Sequence, residues 1–160
     1  MNLFNFTFIN HNLLRLDFTK NQSIWIVLDA DSGKTVTRDK VGRFNKVQHT
    51  GIWLGRHNDT NEPIIMHNHY QYGSAYLSTL KEYAQNREVF WKDEVCSNDW
   101  KTVISIGLNH VIKGKTYRPI SYNCQVYTNT ACNNSSHSED VVKWGGRILT
   151  GLALFLLVRS

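Results

Sequence analysis

Cysteine is scarce in this chain: Cys96, Cys124 and Cys132 are the only three in 160 residues. Their number is odd and their spacing lacks the paired pattern of a metal site. We therefore expect neither a disulfide framework nor a cysteine-based metal site. A reducing, cytoplasmic compartment follows as the expected location.

Charged residues and long apolar runs are also limited. Charged residues make up 19% and hydrophobic residues 41% of the chain, a globular composition that argues against intrinsic disorder. No stretch reaches the roughly 20 apolar residues that span a bilayer. The first ten residues contain no Lys or Arg, and polar Asn and Thr residues interrupt their apolar pattern. We therefore expect no secretory signal.

The charge that is present is basic. Lys and Arg number 18 against 13 Asp and Glu, which gives a formal net charge of +5. This balance fits an anionic partner such as a phospholipid surface, while nucleic acid is the less expected partner that the charge does not exclude. The length suits one domain with a tail, and we predict a domain over residues 1–137 and an apolar tail over residues 138–160.

Hydrophobic periodicity predicts an α+β fold, with a small antiparallel sheet and helices packed on it. Alternating apolar residues predict one or two strands within residues 1–28, and the polar run 29–33 predicts a turn. Residues 34–42 are compatible with a partner strand or with a polar loop. Further strands are predicted at residues 49–55, 64–67 and 88–91.

Three helices are predicted from apolar residues at helical spacing and from capping residues. The first covers residues 77–85 with Ser78 as its N-cap. The second covers residues 100–112 after the capping residue Asp99. The third covers residues 124–131 and begins at a cysteine.

Cys124 and two histidines form the strongest candidate site. Cys124 stands where a loop enters a helix, a position that favours a thiolate and offers backbone N–H groups to an oxyanion. His49 begins one predicted strand and His67 ends the next. If these strands pair as a hairpin, both imidazoles lie near one end of the sheet and face the helix that carries Cys124. Nucleophilic catalysis needs a thiol, a histidine that takes its proton and a polar group that orients this histidine.

Three short motifs carry a resemblance to a known family. They are His49-Thr-Gly-Ile-Trp-Leu-Gly55, Ile64-Ile-Met66-His67 and the segment from Tyr117 to Cys124, which ends in Asn-Cys. Together they resemble the lecithin:retinol acyltransferase-like (LRAT-like) proteins over roughly residues 45 to 158. These proteins are circularly permuted relatives of the NlpC-type papain-like hydrolases, so the resemblance implies a permuted papain-like fold.

The resemblance implies a cysteine-dependent hydrolase or acyltransferase. By position, Cys124 matches the nucleophile, His49 the base and His67 the residue that orients the imidazole. Family members attack an ester or amide carbonyl, form a thioester and pass the acyl group to water, an amine or an alcohol. Because cellular members act on phospholipids, we expect a phospholipase A or acyltransferase activity on an acyl lipid, with no cofactor and no metal.

Two other functions stay open. NlpC-type relatives cut peptide bonds in cell-wall peptides, so the alternative enzyme is a cysteine amidase or endopeptidase that acts on peptides. Some members need not be hydrolases, certain picornavirus proteins with the same His box and Asn-Cys pair among them. The remaining alternative is therefore an inactive member that serves as a membrane-, RNA- or protein-binding module.

Another interpretation of the histidines is a metal site. His67 and His69 alternate on a strand and would share one face, which suits a metal ion. The only evident third ligand is His49, so we expect no metal, and we expect His69 at the surface or at the rim of a pocket.

The tail differs in character from the rest of the chain. Ser138 predicts a helix cap, residues 148–158 carry no charge, and Trp144 lies between basic residues. We therefore expect a C-terminal apolar helix and membrane contact through residues 141–158. The segment also resembles LRAT-like members that end in a membrane-seeking tail. The alternative is a terminal helix that packs on the domain.

Overall fold

An antiparallel sheet forms the centre of the structure. The computed structural model describes residues 4–18, 22–39, 48–92, 96–138, 141–142 and 145. Its eight described strands are β1 Phe4–Phe8, β2 Leu13–Phe18, β3 Gln22–Val27, β4 Thr35–Asp39, β5 Gln48–His57, β6 Pro63–His69, β7 Ser74–Thr79 and β8 Val89–Trp91. The mixed α+β class is confirmed, and the sheet is larger than the small one expected.

Strand β5 is the centre of this sheet. The first half of β5 pairs with β4 and its last two residues pair with β3, while its other edge pairs with β6. Beyond these neighbours, β2 and β1 extend the sheet from β3, β8 flanks β4, and β7 flanks β6. The N-terminal residues therefore belong to the same sheet as the predicted hairpin.

The N-terminal segment forms three strands rather than the one or two expected. The chain reverses between β1 and β2, where the Ile9 N–H donates to the Leu13 carbonyl and the Asn12 N–H donates to the Asn10 side chain. Asn side chains close such turns by bonding to the backbone two residues on. These polar residues divide the apolar pattern into separate strands.

Three helices are described: α1 Leu80–Ala84, α2 Trp100–Lys113 and α3 Cys124–Asn133, with a single 3₁₀ turn at Tyr70–Tyr72. The predictions of α2 and α3 are confirmed. Asp99 caps α2 by accepting from the N–H groups of Lys101 and Thr102, and Asn123 caps α3 in the same way. Such side-chain caps satisfy N–H groups that a helix start leaves unpaired.

The first predicted helix is wrong in its start. The structure places Leu77 and Ser78 in β7, and α1 begins at Leu80. Thr79 is the N-cap, because its hydroxyl accepts from the Glu82 N–H while the Glu82 carboxylate accepts from the Thr79 N–H. This reciprocal capping box satisfies two N–H groups, which a cap at Ser78 would not do.

The two faces of the sheet carry different layers. Helices α2 and α3 cover one face, where Ile52, Leu54 and Met66 lie in the main core. Helix α1 covers the other face, where Tyr83 packs with Val36, Trp53 and Ile65. Trp91 lies on the edge strand β8 and is 47% exposed.

Cys96 and Cys132 form a disulfide, with their Cα atoms 4.6 Å apart. The bond joins the segment before α2 to the last turn of α3. The expectation that the cysteines would not pair is therefore wrong. The two residues are separated by 36 positions in sequence, so their proximity depends on how α2 and α3 pack and not on local spacing. Cys124 is the free cysteine.

Most of the predicted tail lies outside the described residues, including Lys143, Trp144, Arg147 and the apolar run 148–158. Ser138 accepts from the Val141 N–H through its hydroxyl and from the Val142 N–H through its carbonyl, while the helix predicted after it lies mostly outside the described residues. Among the described residues, no helix has the length and apolar character needed to traverse a bilayer.

Gly55 offers a test of how the N-terminal strands join β5. Its φ is +142°, and a Cβ there would overlap the Val27 carbonyl oxygen on β3. We expect Gly55→Ala to lower the free energy of unfolding by about 3 kcal/mol in urea denaturation. Gly73→Ala is the control, because its φ is +70° with open space around it, and it is expected to cost about 1 kcal/mol. Equal losses in the two variants would contradict this account.

The disulfide closes a long loop, so removing it is expected to destabilise the fold. The double variant Cys96→Ser/Cys132→Ser should lose about 4 kcal/mol of unfolding free energy. Cys124→Ser should not show this loss, because Cys124 closes no loop. Alkylation of the unfolded, unreduced protein should label Cys124 alone. Labelling of all three cysteines would show that the bond is absent.

Candidate active site

His49, His67 and Ser78 form a buried chain of hydrogen bonds. The His49 Nε2 atom lies 2.8 Å from the His67 Nδ1 atom, and the His67 Nε2 atom lies 2.9 Å from the Ser78 hydroxyl. Each of the three residues is at most 3% exposed. The pairing of β5, β6 and β7 sets this arrangement, since it brings one side chain from each strand onto the same face.

Gly51 makes room for the residue that supports this chain. A Cβ at Gly51 would lie 2.7 Å from the Ile65 side chain and 3.0 Å from the Tyr83 ring, so glycine relieves crowding where Tyr83 packs. The Tyr83 hydroxyl donates to the His49 carbonyl at 2.7 Å, and its ring centroid lies 5.4 Å from that of His49 and 5.0 Å from that of His67. Tyr83 therefore fixes both the backbone and the ring positions of the histidine pair.

His67 is neutral at physiological pH. Burial holds its pKa well below the usual value, and the nearby charges of His69 and Arg38 lower the pKa further. A neutral imidazole has one N–H and one acceptor nitrogen. If the His67 Nε2–H donates to Ser78, its Nδ1 accepts from the His49 Nε2–H.

Arg38 supplies a buried positive charge beside the histidines. Its guanidinium donates to the carbonyls of Tyr83 and Asp39 and to the Gln85 side chain. Within the described part of the chain, no carboxylate lies within 4.0 Å of it. Burial is the main influence on the Arg38 pKa and lowers it, whereas nearby phenols and the Cys124 thiol act in the opposite direction.

Cys124 occupies the first position of α3, as expected from the sequence. The Asn123 side chain caps this helix and is itself fixed, because its amide donates to the Pro119 carbonyl and to the Ser138 hydroxyl. Cys124 is 1% exposed, and its Sγ lies 4.0 Å from the Gln48 carbonyl oxygen. Gln48 is the first residue of β5 and immediately precedes His49, so the thiol approaches β5 next to the histidine.

The histidines do not face α3, which differs from the expected arrangement. Thr50 faces that helix, since its hydroxyl lies 3.1 Å from the hydroxyl of Thr128. Side chains alternate along a strand, so His49 lies on the opposite face, with Tyr83. Cys124 approaches the same strand from the α3 side, at the Gln48 carbonyl. The shared neighbour of Cys124 and His49 is Tyr83, whose pKa is raised well above its usual value, first by burial and then by nearby Cys124.

The backbone N–H groups at the start of α3 are largely occupied. The Asn123 side chain accepts from the N–H groups of Gln125 and Val126 at 3.0 Å each, and the Tyr127 N–H donates to the Asn123 carbonyl. A developing oxyanion at this helix end would therefore depend on the N–H of Cys124 itself. The expected oxyanion donors are thus reduced to one.

His69 lines a polar cavity of about 90 Å³ together with Arg38, His49 and Asn68. We expected His69 at the surface or at the rim of a pocket. It does line a cavity, but it is buried, with only 5% of its surface exposed. His67 shares its face, yet both ring nitrogens of His67 are engaged by other side chains. In the ranges that the structure describes, no three His, Cys, Asp or Glu side chains are grouped so as to hold a metal ion.

Sequence reasoning found the histidines and the cysteine but missed Ser78, Arg38 and Tyr83. Ser78 was assigned to a helix cap, and its alternation with Tyr76 on a strand facing His67 would have revealed its role. For the other two residues no local motif exists, because they reach the site from β4 and α1. Comparisons with protein-family models, with curated proteins and with solved structures find no match.

Ser78 provides a test of the hydrogen-bond chain. We expect Ser78→Ala to leave the buried His67 Nε2 without its partner and to cost about 1–2 kcal/mol of unfolding free energy. Ser78→Thr, which keeps the hydroxyl, should retain most of the stability. Ser74→Ala on the same strand is the control and should show a smaller loss.

Nitrogen chemical shifts of the His67 ring report its tautomer and provide a second measurement. The ring of the natural protein is expected to carry its proton on Nε2, and Ser78→Ala is expected to mix the two tautomers. Unchanged ring shifts in Ser78→Ala would show that the hydroxyl does not set the tautomer.

Proposed function

We propose that this protein is a cysteine-dependent hydrolase or acyltransferase that acts on acyl esters or amides of lipids, on a permuted papain-like fold. The observation that carries the proposal is the buried His49–His67–Ser78 chain, which ends where Cys124 approaches β5. A histidine oriented by a polar partner beside a thiol is the arrangement used in thiol catalysis. The sequence motifs around the same residues support this proposal.

In the first step, Cys124 loses its thiol proton to His49, and its Sγ attacks the acyl carbonyl carbon. The carbonyl electron pair moves to oxygen and returns as the bond to the leaving alcohol or amine breaks. His49 gives the proton to that leaving group. The Cys124 Sγ lies 4.0 Å from the carbonyl oxygen of Gln48, the residue before His49, and catalytic hydrogen bonds of this kind tighten when substrate binds.

In the second step, water or an acceptor alcohol or amine attacks the thioester. His49 takes the proton of the attacking group, and the carbon–sulfur bond breaks. The proton then returns to Sγ. Throughout both steps His67 orients the His49 ring, and the low pKa of His67 means that it does not itself become the charged group.

A lipid is the substrate class that the chain favours. The formal charge of +5 attracts an anionic membrane surface. The apolar run at residues 148–158 would hold the enzyme against an insoluble substrate. We accordingly propose a membrane-associated location. The expected cytoplasmic compartment rested on unpaired cysteines, and the Cys96–Cys132 disulfide removes that argument.

The second candidate is a catalytically inactive binding module. It is favoured by the burial of Cys124, which is 1% exposed and whose thiol contacts a backbone carbonyl. Buried cysteines of this kind commonly act as small apolar side chains. Under this candidate, Cys124→Ala leaves the biological activity intact.

Thiol reactivity separates the two candidates. We expect an alkylating probe to label Cys124 of the folded protein well below pH 8, because a histidine beside the thiol takes up its proton. His49→Ala should slow this labelling at pH 6 at least tenfold, and His137→Ala, an exposed histidine, should not change it. Labelling that rises only near pH 8–9 and is unaffected by His49→Ala would reject the enzyme and favour the binding module.

Activity is then measured on phosphatidylcholine vesicles that contain an anionic phospholipid. The protein should release fatty acid, and Cys124→Ser should abolish this release while retaining the circular dichroism spectrum of the natural protein. A peptide amide substrate is assayed in parallel. Hydrolysis of the peptide but not of the lipid would support the thiol mechanism and contradict the proposed lipid substrate.

A further inference from the structure

A second cavity lies between the N-terminal strands and β7. Its volume is about 500 Å³. Leu16, Ile24 and Ile26 of β2 and β3 form one side, and Leu77 of β7 contributes to the other. A concave apolar site of this size is within the range that holds small-molecule ligands.

The polar groups of this cavity lie mostly on one wall, and His57 at the end of β5 is the exception. Ser78 of β7 and Glu82 of α1 line it, whereas the residues from β2 and β3 are apolar. The Glu82 carboxylate already caps α1 and would repel a ligand carboxylate. An occupant with an apolar chain and an uncharged, hydroxyl-bearing head therefore fits the two walls.

The volume favours an acyl chain as the occupant. A single acyl chain fills less space than the cavity of about 500 Å³. The polar cavity beside His49, at about 90 Å³, is in turn too small for an acyl chain.

We propose that the cavity between the N-terminal strands and β7 is a second ligand site, which binds one acyl chain of an uncharged lipid such as a monoacylglycerol. Its head lies beside Ser78 and Glu82. Because Ser78 also bonds to His67, the bound head touches the far end of the histidine chain. The site does not depend on whether Cys124 is a nucleophile.

The first test is binding to full-length Cys124→Ser protein, in which no thioester can form. The probe is 1-lauroylglycerol below its micelle-forming concentration, measured by calorimetry. We expect saturable one-to-one binding with a micromolar dissociation constant. Ile24→Trp, which fills the cavity, should weaken binding at least tenfold. Val27→Trp, exposed on the same strand, should change it less than twofold.

The second test concerns the head group. Lauric acid is expected to bind at least tenfold more weakly than 1-lauroylglycerol, because the Glu82 carboxylate repels its carboxylate. Glu82→Gln should reduce this difference in affinity. Circular dichroism verifies the fold of each variant, and Ile64→Trp replaces Ile24→Trp if the latter does not fold. The absence of saturable binding would overturn the proposal, as would equal binding by Ile24→Trp and Val27→Trp.

Discussion

The register between β5 and β6 is the constraint on which the site depends. It pairs Gly51 with His67, and the diagonal across that pair brings the His49 and His67 rings within hydrogen-bond distance. A slip of one residue would move His67 to the opposite face of the sheet. Gly51 also leaves the gap that Tyr83 fills, so the same register lets α1 close over the histidines. Fold and site thus depend on one strand pair.

The electrostatics of the site are unusual because the described hydrogen-bond chain contains no carboxylate. His67 stands where a charged acceptor would stabilise an imidazolium, but its own low pKa keeps it neutral. Arg38 adds a positive charge nearby. If His49 takes a proton from Cys124, the thiolate is therefore the nearby anion that compensates both positive groups.

Local signals predicted the elements that carry the site, but they did not predict the contacts between elements. The caps Asp99 and Asn123 and the apolar alternation of the hairpin are encoded within a few residues, so α2, α3 and the β5–β6 pair followed from the sequence. The role of Ser78 and the Cys96–Cys132 bond depend on packing between distant segments. Even the face that His49 occupies depends on where α3 docks, which strand alternation alone does not specify.

Ser78 connects the N-terminal strands to the chemistry proposed for Cys124. A serine hydroxyl has one donor hydrogen and two acceptor lone pairs. It can therefore accept from the His67 Nε2–H and still donate to a ligand, which leaves the histidine tautomers unchanged. A head group that donates to Ser78 would use the second lone pair, which also leaves the bond to His67 in place. An occupant of the proposed site would therefore contact the histidine chain through Ser78 without displacing His67.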